Sequence, residues 1–500
     1  MKTKAKKLVT LILTALLVLS ILPMNVFAAQ REVTASSTAS ITINNAVEND
    51  VLAAYKVVDI TYNATKNTLT YEWNSNFADY FAGTTSYNAT AYTVEQFAAL
   101  ESDSDDLKTL LAQLPNYIIA ESIAPVSTQT VAADKTATFA NLAMGEYFIR
   151  PTSSTSVYQL MLQKVEPTVS AGAYVIDDVT FSAKHKEVSI TKTADKTSVT
   201  KGENVVYTLE AEIPTYLDTA VDKSFWISDQ LPDGLTINES SIAVTIGGET
   251  VDAGDYTLDT TPAAGYTFKL SVSTDLYANK WSGRGGNTLT ITYTATLNSN
   301  NTTEVNVAEI NTATYEYSFY PYLTDTRKTK TATEEVTTFA IQIDKHVQGQ
   351  PVQKLSDAKF DLYRTATAEE IAAGSSVTIP HTTVPVILLE SGLTTNASGV
   401  ATFEKYEAND TRYAYYLVET KAPTGYNLLS NAVEVHFTDA EVAGTNGIYT
   451  VEIENTSGIQ LPITGGTGTV IFTVIGIALM VGAVVLFVLS RKKSKAKENE

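Results

Sequence analysis

The sequence predicts a mainly β protein, a tandem of β-sandwich domains behind an N-terminal domain that mixes strands with a helical insert. Three observations predict it. Tyr occurs 27 times in the 500 residues and Thr is abundant throughout, and both residue types favour strands. Between about 187 and 457 the apolar residues fall in short alternating runs, as half-buried strands require. Those runs are punctuated by turn signals such as Gly247-Gly248, Gly285-Gly286-Asn287 and Asn396-Ala397-Ser398-Gly399. A chain of this length accommodates about three domains.

Taken in chain order, the first element is an export signal. Met1-Lys-Thr-Lys-Ala-Lys-Lys7 is basic, Leu8 to Leu22 is apolar, and Val26-Phe27-Ala28 offers small residues before a cut. That is the layout of a secretory signal peptide over 1–28, cleaved after Ala28 or alternatively Ala29. The N-terminal domain follows over 29–186. Thr93-Val94-Glu95-Gln96 reads as a capping box opening a helix, Leu107, Leu110, Leu111 and Leu114 keep helical spacing, and Pro115 is expected to stop it. The two β segments are then 187–336 and 337–457. Residues 458–469 hold Leu461-Pro462-Ile463-Thr464-Gly465. Val470 to Leu489 is apolar for about 20 residues, enough for a transmembrane helix over 470–490. Arg491, Lys492, Lys493, Lys495 and Lys497 follow, so the tail 491–500 is expected inside and the preceding chain outside.

Composition excludes several functions. The formal net charge is -20, and the exported portion, about 29–464, keeps 26 basic and 53 acidic residues. A nucleic-acid partner would need the opposite balance. Cys is absent, which removes disulfides, thiolate metal sites and Cys nucleophiles. The four histidines, His185, His346, His381 and His436, are scattered, so no metal site, cofactor or Ser-His-Asp triad is expected. No nucleophile elbow, HExxH or dedicated carboxylate pair supports a secreted hydrolase.

Alternation also marks burial, because i, i+2 and i+4 share one face of a strand. Phe339, Ile341, Ile343, Lys345 and Val347 share a face, as do Tyr413, Tyr415, Leu417 and Glu419, and Val451, Ile453 and Asn455. One segment therefore turns a Lys, a Glu and an Asn inward. The preceding segment does the same with Val188, Ile190 and Lys192, then Phe225, Ile227, Asp229 and Leu231, then Val305, Val307, Asn311, Ala313 and Tyr315, with Glu309 discordant. Lone buried charges cost several kcal/mol, so these groups must pair or neutralise. One reading is a buried salt bridge with a hydrogen-bonded Asn. The other is a self-formed Lys–Asn isopeptide bond. Burial lowers a Lys pKa and raises that of a carboxylic acid, so a neutral amine could attack the carboxamide carbon. The acid would polarise the carbonyl and move protons as ammonia leaves. Lys56 also sits in a strand-like run, without evident partners.

Three motifs carry a family resemblance. Leu461-Pro462-Ile463-Thr464-Gly465, followed by an apolar span and a basic tail, resembles the LPXTG cell-wall sorting signal of Gram-positive surface proteins. Tyr415-Tyr-Leu417-Val-Glu419-Thr420-Lys-Ala422-Pro423-Thr-Gly425-Tyr426 is similar to the E-box of Gram-positive pilins, YxLxETxAPxGY. Tyr174 to Lys184 resembles, in degenerate form, the pilin motif WxxxVxVYPK, with Val179 and Phe181 at its apolar positions, Ser182 in place of Tyr and Ala183 in place of Pro. The resemblance implies immunoglobulin-like domains, CnaA-like over 187–336 and CnaB-like over 337–457. It also implies isopeptide bonds Lys192–Asn311 and Lys345–Asn455, with Asp229 and Glu419 as acid/base. A pilin sortase is then expected to cut between Thr464 and Gly465 and join Thr464 to Lys184 of an identical subunit. Val179, Phe181 and Ala183 face one way and Lys184 the other, with Lys186 a rival at the same parity. Minor pilins, a housekeeping sortase and peptidoglycan are the further implied partners. The implied product is a pilus shaft on the cell surface supporting adhesion; a monomeric wall-anchored adhesin or minor pilin is the alternative.

Overall fold

Strict alternation shapes the central strand of the middle segment. Thr288–Leu297 interleaves five Thr with Leu289, Ile291, Tyr293, Ala295 and Leu297, and those five are buried while the threonines face outward. The computed structural model describes residues 31–102, 104–261, 265–298, 305–379, 382–409, 412–457 and 467–496. The signal segment 1–28 and Leu461–Gly465 lie outside the described residues. Two units result, one running to residue 303 and continuing over 308–337, the other comprising 304–307 and 338–500.

In the first unit, strands Thr68–Trp73, Val51–Asn63, Gly145–Ser153 and Met161–Val165 form a sheet, with Ser127–Thr130 added on Val51–Asn63. A smaller sheet orders Val179–Ser182, Thr38–Asn44 and Ala137–Ala143. The helical insert is split. Thr93 caps Val94–Ala98 through the expected reciprocal box with Gln96, and a second helix, Asp105–Ala120, starts at Ser104.

Pro115 does not stop that helix; it lies inside it. A proline at this position costs about 3 kcal/mol through its missing N–H and its clash with the preceding turn. Leu114, Pro115, Tyr117 and Ile118 are all buried, and continuing the apolar face outweighs the local penalty. The Tyr80 hydroxyl also donates to the Leu110 carbonyl in the turn before the proline.

The middle segment of this unit is a sandwich of two five-stranded antiparallel sheets. One orders Ile190–Ala194, Asn204–Glu212, Thr288–Leu297, Leu235–Ile246 and Glu249–Thr250. The other orders Thr257–Asp259, Phe268–Val272, Phe225–Gln230, Glu309–Ser318 and Arg327–Val336. The apolar core is continuous from Val33 to Val336, and His185–Glu187 pairs with Ser156–Tyr158. The change near 187 is thus a change of architecture within one core. One parity assignment is corrected: the strand starts at Glu309, which is buried, whereas Val307 is exposed before it. The inward face is Glu309, Asn311, Ala313, Tyr315 and Tyr317.

In the second unit, Phe339–Val347 is the hub of one sheet. It pairs antiparallel with Gln350–Lys354 and Val400–Tyr406, and parallel with Ile448–Asn455. The facing sheet orders Val386–Thr394, Lys359–Thr365, Tyr415–Lys421 and Val433–Val435. Phe339, Ile341, Ile343, Phe360, Leu362, Phe403, Tyr415, Leu417 and Ile453 fill the space between. Gly399 ends the expected turn with φ +75°, and a Cβ there would stand 2.3 Å from the Lys345 carbonyl oxygen, so glycine is required.

The apolar run near the C-terminus forms the helix Thr467–Ala496. Val474, Ile477, Leu479, Met480, Val481, Val484, Leu486 and Phe487 are exposed on it, as lipid-facing side chains would be. Among the described residues no helix is long and apolar enough to cross a membrane.

Candidate functional site

In each sandwich the sequence folds an inward Lys on an early strand towards an inward Asn on a late one, with an inward carboxylate between. Lys345 is on the hub strand of the second unit. Its parallel neighbour is in register so that Lys345 lies opposite Ile453 and Val347 opposite Asn455. Glu419 ends the inward row Tyr415, Leu417, Glu419 on the facing sheet. Lys345, Glu419 and Asn455 are at most 3 % exposed.

Within that cluster the Lys345 ammonium donates to the Asn455 Oδ1 and, at 3.2 Å, to the Ile453 carbonyl. It lies 3.8 Å from Glu419 Oε1. The Asn455 Nδ2 donates to both carboxylate oxygens, at 2.9 and 3.1 Å, and the Leu429 N–H donates to Glu419 Oε2 at 2.9 Å. Burial pushes the Lys345 amine down to about 8, against the pull of the Glu419 carboxylate. Burial also raises the Glu419 carboxyl, opposed by the Leu429 N–H and Lys345. The carboxyl oxygens face the amide nitrogen rather than the carbonyl oxygen expected from sequence. In this geometry the acid is beside the leaving group and the amine beside the carbonyl.

The middle sandwich assembles Lys192, Asp229 and Asn311, each at most 5 % exposed. Lys192 is ion-paired with Asp229. Burial lowers the Lys192 amine and raises the Asp229 carboxyl, each opposed by its partner's charge. A fourth residue, absent from the sequence-based set, joins them. Tyr293 accepts from Lys192 Nζ at 3.0 Å and from Asn311 Nδ2 at 2.6 Å, and donates to Asp229 Oδ1 at 2.9 Å. The Lys192 ammonium also lies 5.1 Å from the centre of the Tyr207 ring. Asn311 Oδ1 is buried without a hydrogen-bond partner among the described residues. The inward parity of Tyr293 and Tyr207 was readable, but a Tyr in an apolar row looks like core.

The two exposed lysines differ from these. Strand Val179–Ser182 runs parallel to Thr38–Asn44, Ala183 is buried with its N–H on the Asn44 carbonyl, and Lys184 is exposed. Lys184 borders a surface groove lined by Phe97, Leu107, Leu160, Phe181 and Leu217. Lys186 is also exposed, and its ammonium is ion-paired with Glu212 at 2.9 Å. In the N-terminal segment, Lys56 does have a partner, Asp59 at 2.6 Å. No group of three or more acidic or His side chains suited to a metal occurs among the described residues.

Comparison with known proteins places these clusters in context. Residues 453–495 match the LPXTG cell wall anchor motif, and residues 340–457 match a prealbumin-like fold domain. The anchor assigns the chain to the cell wall. The chain is 24% identical over 433 residues to the fimbrial subunit type 2 of Actinomyces naeslundii, covering 77% of this chain and 76% of that protein. A second match, 30% identical over 159 residues to the fimbrial subunit type 1 of Actinomyces viscosus, spans 29% of this chain and 30% of that one. The fold is similar to the T6 backbone pilin of Streptococcus pyogenes, with a TM-score of 0.55, 20% identity and 81% of each chain covered.

Proposed function

We propose that this chain is the shaft subunit of a covalent cell-surface pilus. A pilin sortase joins Thr464 of one subunit to Lys184 of the next, and a housekeeping sortase finally attaches the polymer to peptidoglycan. The observation that carries the reading is an LPXTG anchor directly after a prealbumin-like domain, in a chain that aligns over three quarters of its length with a fimbrial subunit. The protein is structural, and adhesion is the use of the assembled fibre. Lys184 suits the acceptor role because it is exposed beside a groove and stands at the lysine position of the pilin-like motif.

Each sandwich closes itself with one isopeptide bond. At the second-unit site, neutral Lys345 Nζ attacks Asn455 Cγ, the Cγ–Nδ2 bond breaks and ammonia departs. Protonated Glu419, against Nδ2, gives the leaving nitrogen its proton and recovers one from the amine. Asp229 has the corresponding part between Lys192 and Asn311.

Cell-wall extracts boiled in detergent test the polymer. A ladder of covalent multimers is expected, and Lys184→Ala should collapse it to monomer with export intact. A ladder that persists in Lys184→Ala shifts the acceptor to Lys186. A wild-type chain released as monomer alone would identify a wall-anchored adhesin instead.

A further inference from the structure

We infer that Tyr293 is a catalytic residue of the middle-sandwich bond, relaying a proton from Asp229 to the departing nitrogen of Asn311. The inference rests on the isopeptide reading above and assigns a residue that reading does not include.

The argument is one of reach. At the second-unit site the glutamate touches the amide nitrogen directly with both oxygens. The middle site has an aspartate, one methylene shorter, and no hydrogen bond between Asp229 and Asn311 is found there. Tyr293 fills the gap. Its hydroxyl accepts from the nucleophile Lys192 Nζ at 3.0 Å and from the leaving-group nitrogen at 2.6 Å, and it donates to the acid at 2.9 Å. One oxygen thus contacts all three members of the trio. Asp229 plus Tyr293 performs what Glu419 performs alone.

The balance closes. The Lys192 amine attacks Cγ and gives up one proton to Asp229 Oδ2, on which it already rests. Attack makes Nδ2 tetrahedral and gives it a lone pair, so the tyrosine O–H turns from Asp229 to Nδ2 and its proton passes there as the Cγ–Nδ2 bond breaks. The carboxyl proton carried by Asp229 passes from Oδ1 to the tyrosine oxygen. The products are the Lys192–Asn311 amide and one ammonia, with Tyr293 and Asp229 restored. Nothing is oxidised or reduced, and no co-reactant is needed.

The test is intact mass and peptide mapping of the purified ectodomain, followed over time after expression. The second-unit bond, 110 positions apart in sequence, serves as a control in the same molecule. Wild type should lack two ammonias. Tyr293→Phe should lack one, its Lys192–Asn311 link forming at least about 100-fold more slowly, as loss of a general acid predicts. The double variant Asp229→Glu with Tyr293→Phe should regain the second deficit, because the longer acid reaches Nδ2 unaided. Tyr293→Phe linked at the wild-type rate overturns the relay. A double variant that stays unlinked overturns it too, since the phenylalanine would then be acting on packing. Wild type with no Lys192–Asn311 link would instead refute the isopeptide reading itself.

Discussion

At the scale of single residues, what separates the two clusters from an ordinary ion pair is exclusion of water. Lys56, Asp59 and Asn74 make the comparison within the same chain. Lys56 pairs with Asp59 at 2.6 Å and Asn74 Nδ2 donates to Asp59 at 2.9 Å, the same residue types in similar contact. The Asp59 side chain is 35 % exposed, however, so solvent stabilises its charge and that of the amine beside it. Peptide mapping should therefore find no Lys56–Asn74 link, and the ectodomain mass should fall short by two ammonias and not three. The titration of Lys345 gives a second expectation. Asn455→Ser keeps Lys345 and Glu419 but cannot form the bond. Its folded state sheds the Lys345 proton near pH 8, while the unfolded chain holds it to about 10.5. The unfolded state then binds more protons, so stability should rise with pH across that window, by up to about 3 kcal/mol. Urea unfolding at pH 8 and pH 10 would measure it; a flat or falling profile would contradict a buried, neutralising lysine.

The strand is the next scale. Each bond would tie an early strand to a late one, Lys192 to Asn311 and Lys345 to Asn455. By the loop-entropy argument used for disulfides, closing a loop of about 110 residues removes denatured-state freedom worth roughly 4–5 kcal/mol. Glu419→Ala should lose that stabilisation, regain one ammonia in mass and become the more readily cut by protease; unchanged mass would show that Glu419 is not the acid. Strand parity made much of this legible in advance, because two-residue periodicity transfers directly from sequence to face. Lys345, Glu419, Asn455, Lys192, Asp229 and Asn311 all face inward as the alternation demands. Parity failed where the strand had not begun, at Val305 and Val307. It was also silent on which inward residue meets which, since that depends on pairing between distant strands. Tyr293 escaped for that reason, and the helix through Pro115 because burial overrode a local rule.

Over the whole molecule, charge and motif order decide behaviour. The exported portion has a balance of 26 basic against 53 acidic residues, so copies repel one another and close association needs a covalent step. Deleting Leu461–Gly465 should leave the chain unpolymerised and without any Thr464-linked product in wall digests. Normal polymers from that deletion would end the sortase reading. This level was legible from the sequence because sorting signals are read by enzymes as linear peptides and need no fold to be seen. The proposed acceptor lysine was less legible: its motif is degenerate, and Lys184 and Lys186 share a parity. Parity alone does not choose between them, since both are exposed on the folded surface.

The strand that ends at Asn455 leads, six positions later, to Leu461 and the proposed joint with the next subunit. Because that strand lies parallel to Phe339–Val347, with Asn455 beside Lys345, a link there lets tension enter the second unit and leave it through neighbouring side chains. The 110 positions between them become a closed ring outside the line of tension. At about 3.5 Å per residue, that ring withholds roughly 380 Å of slack from each subunit. A fibre built this way behaves as a chain of fixed-length links, and single-molecule pulling on Glu419→Ala should reveal the missing length as one added extension step.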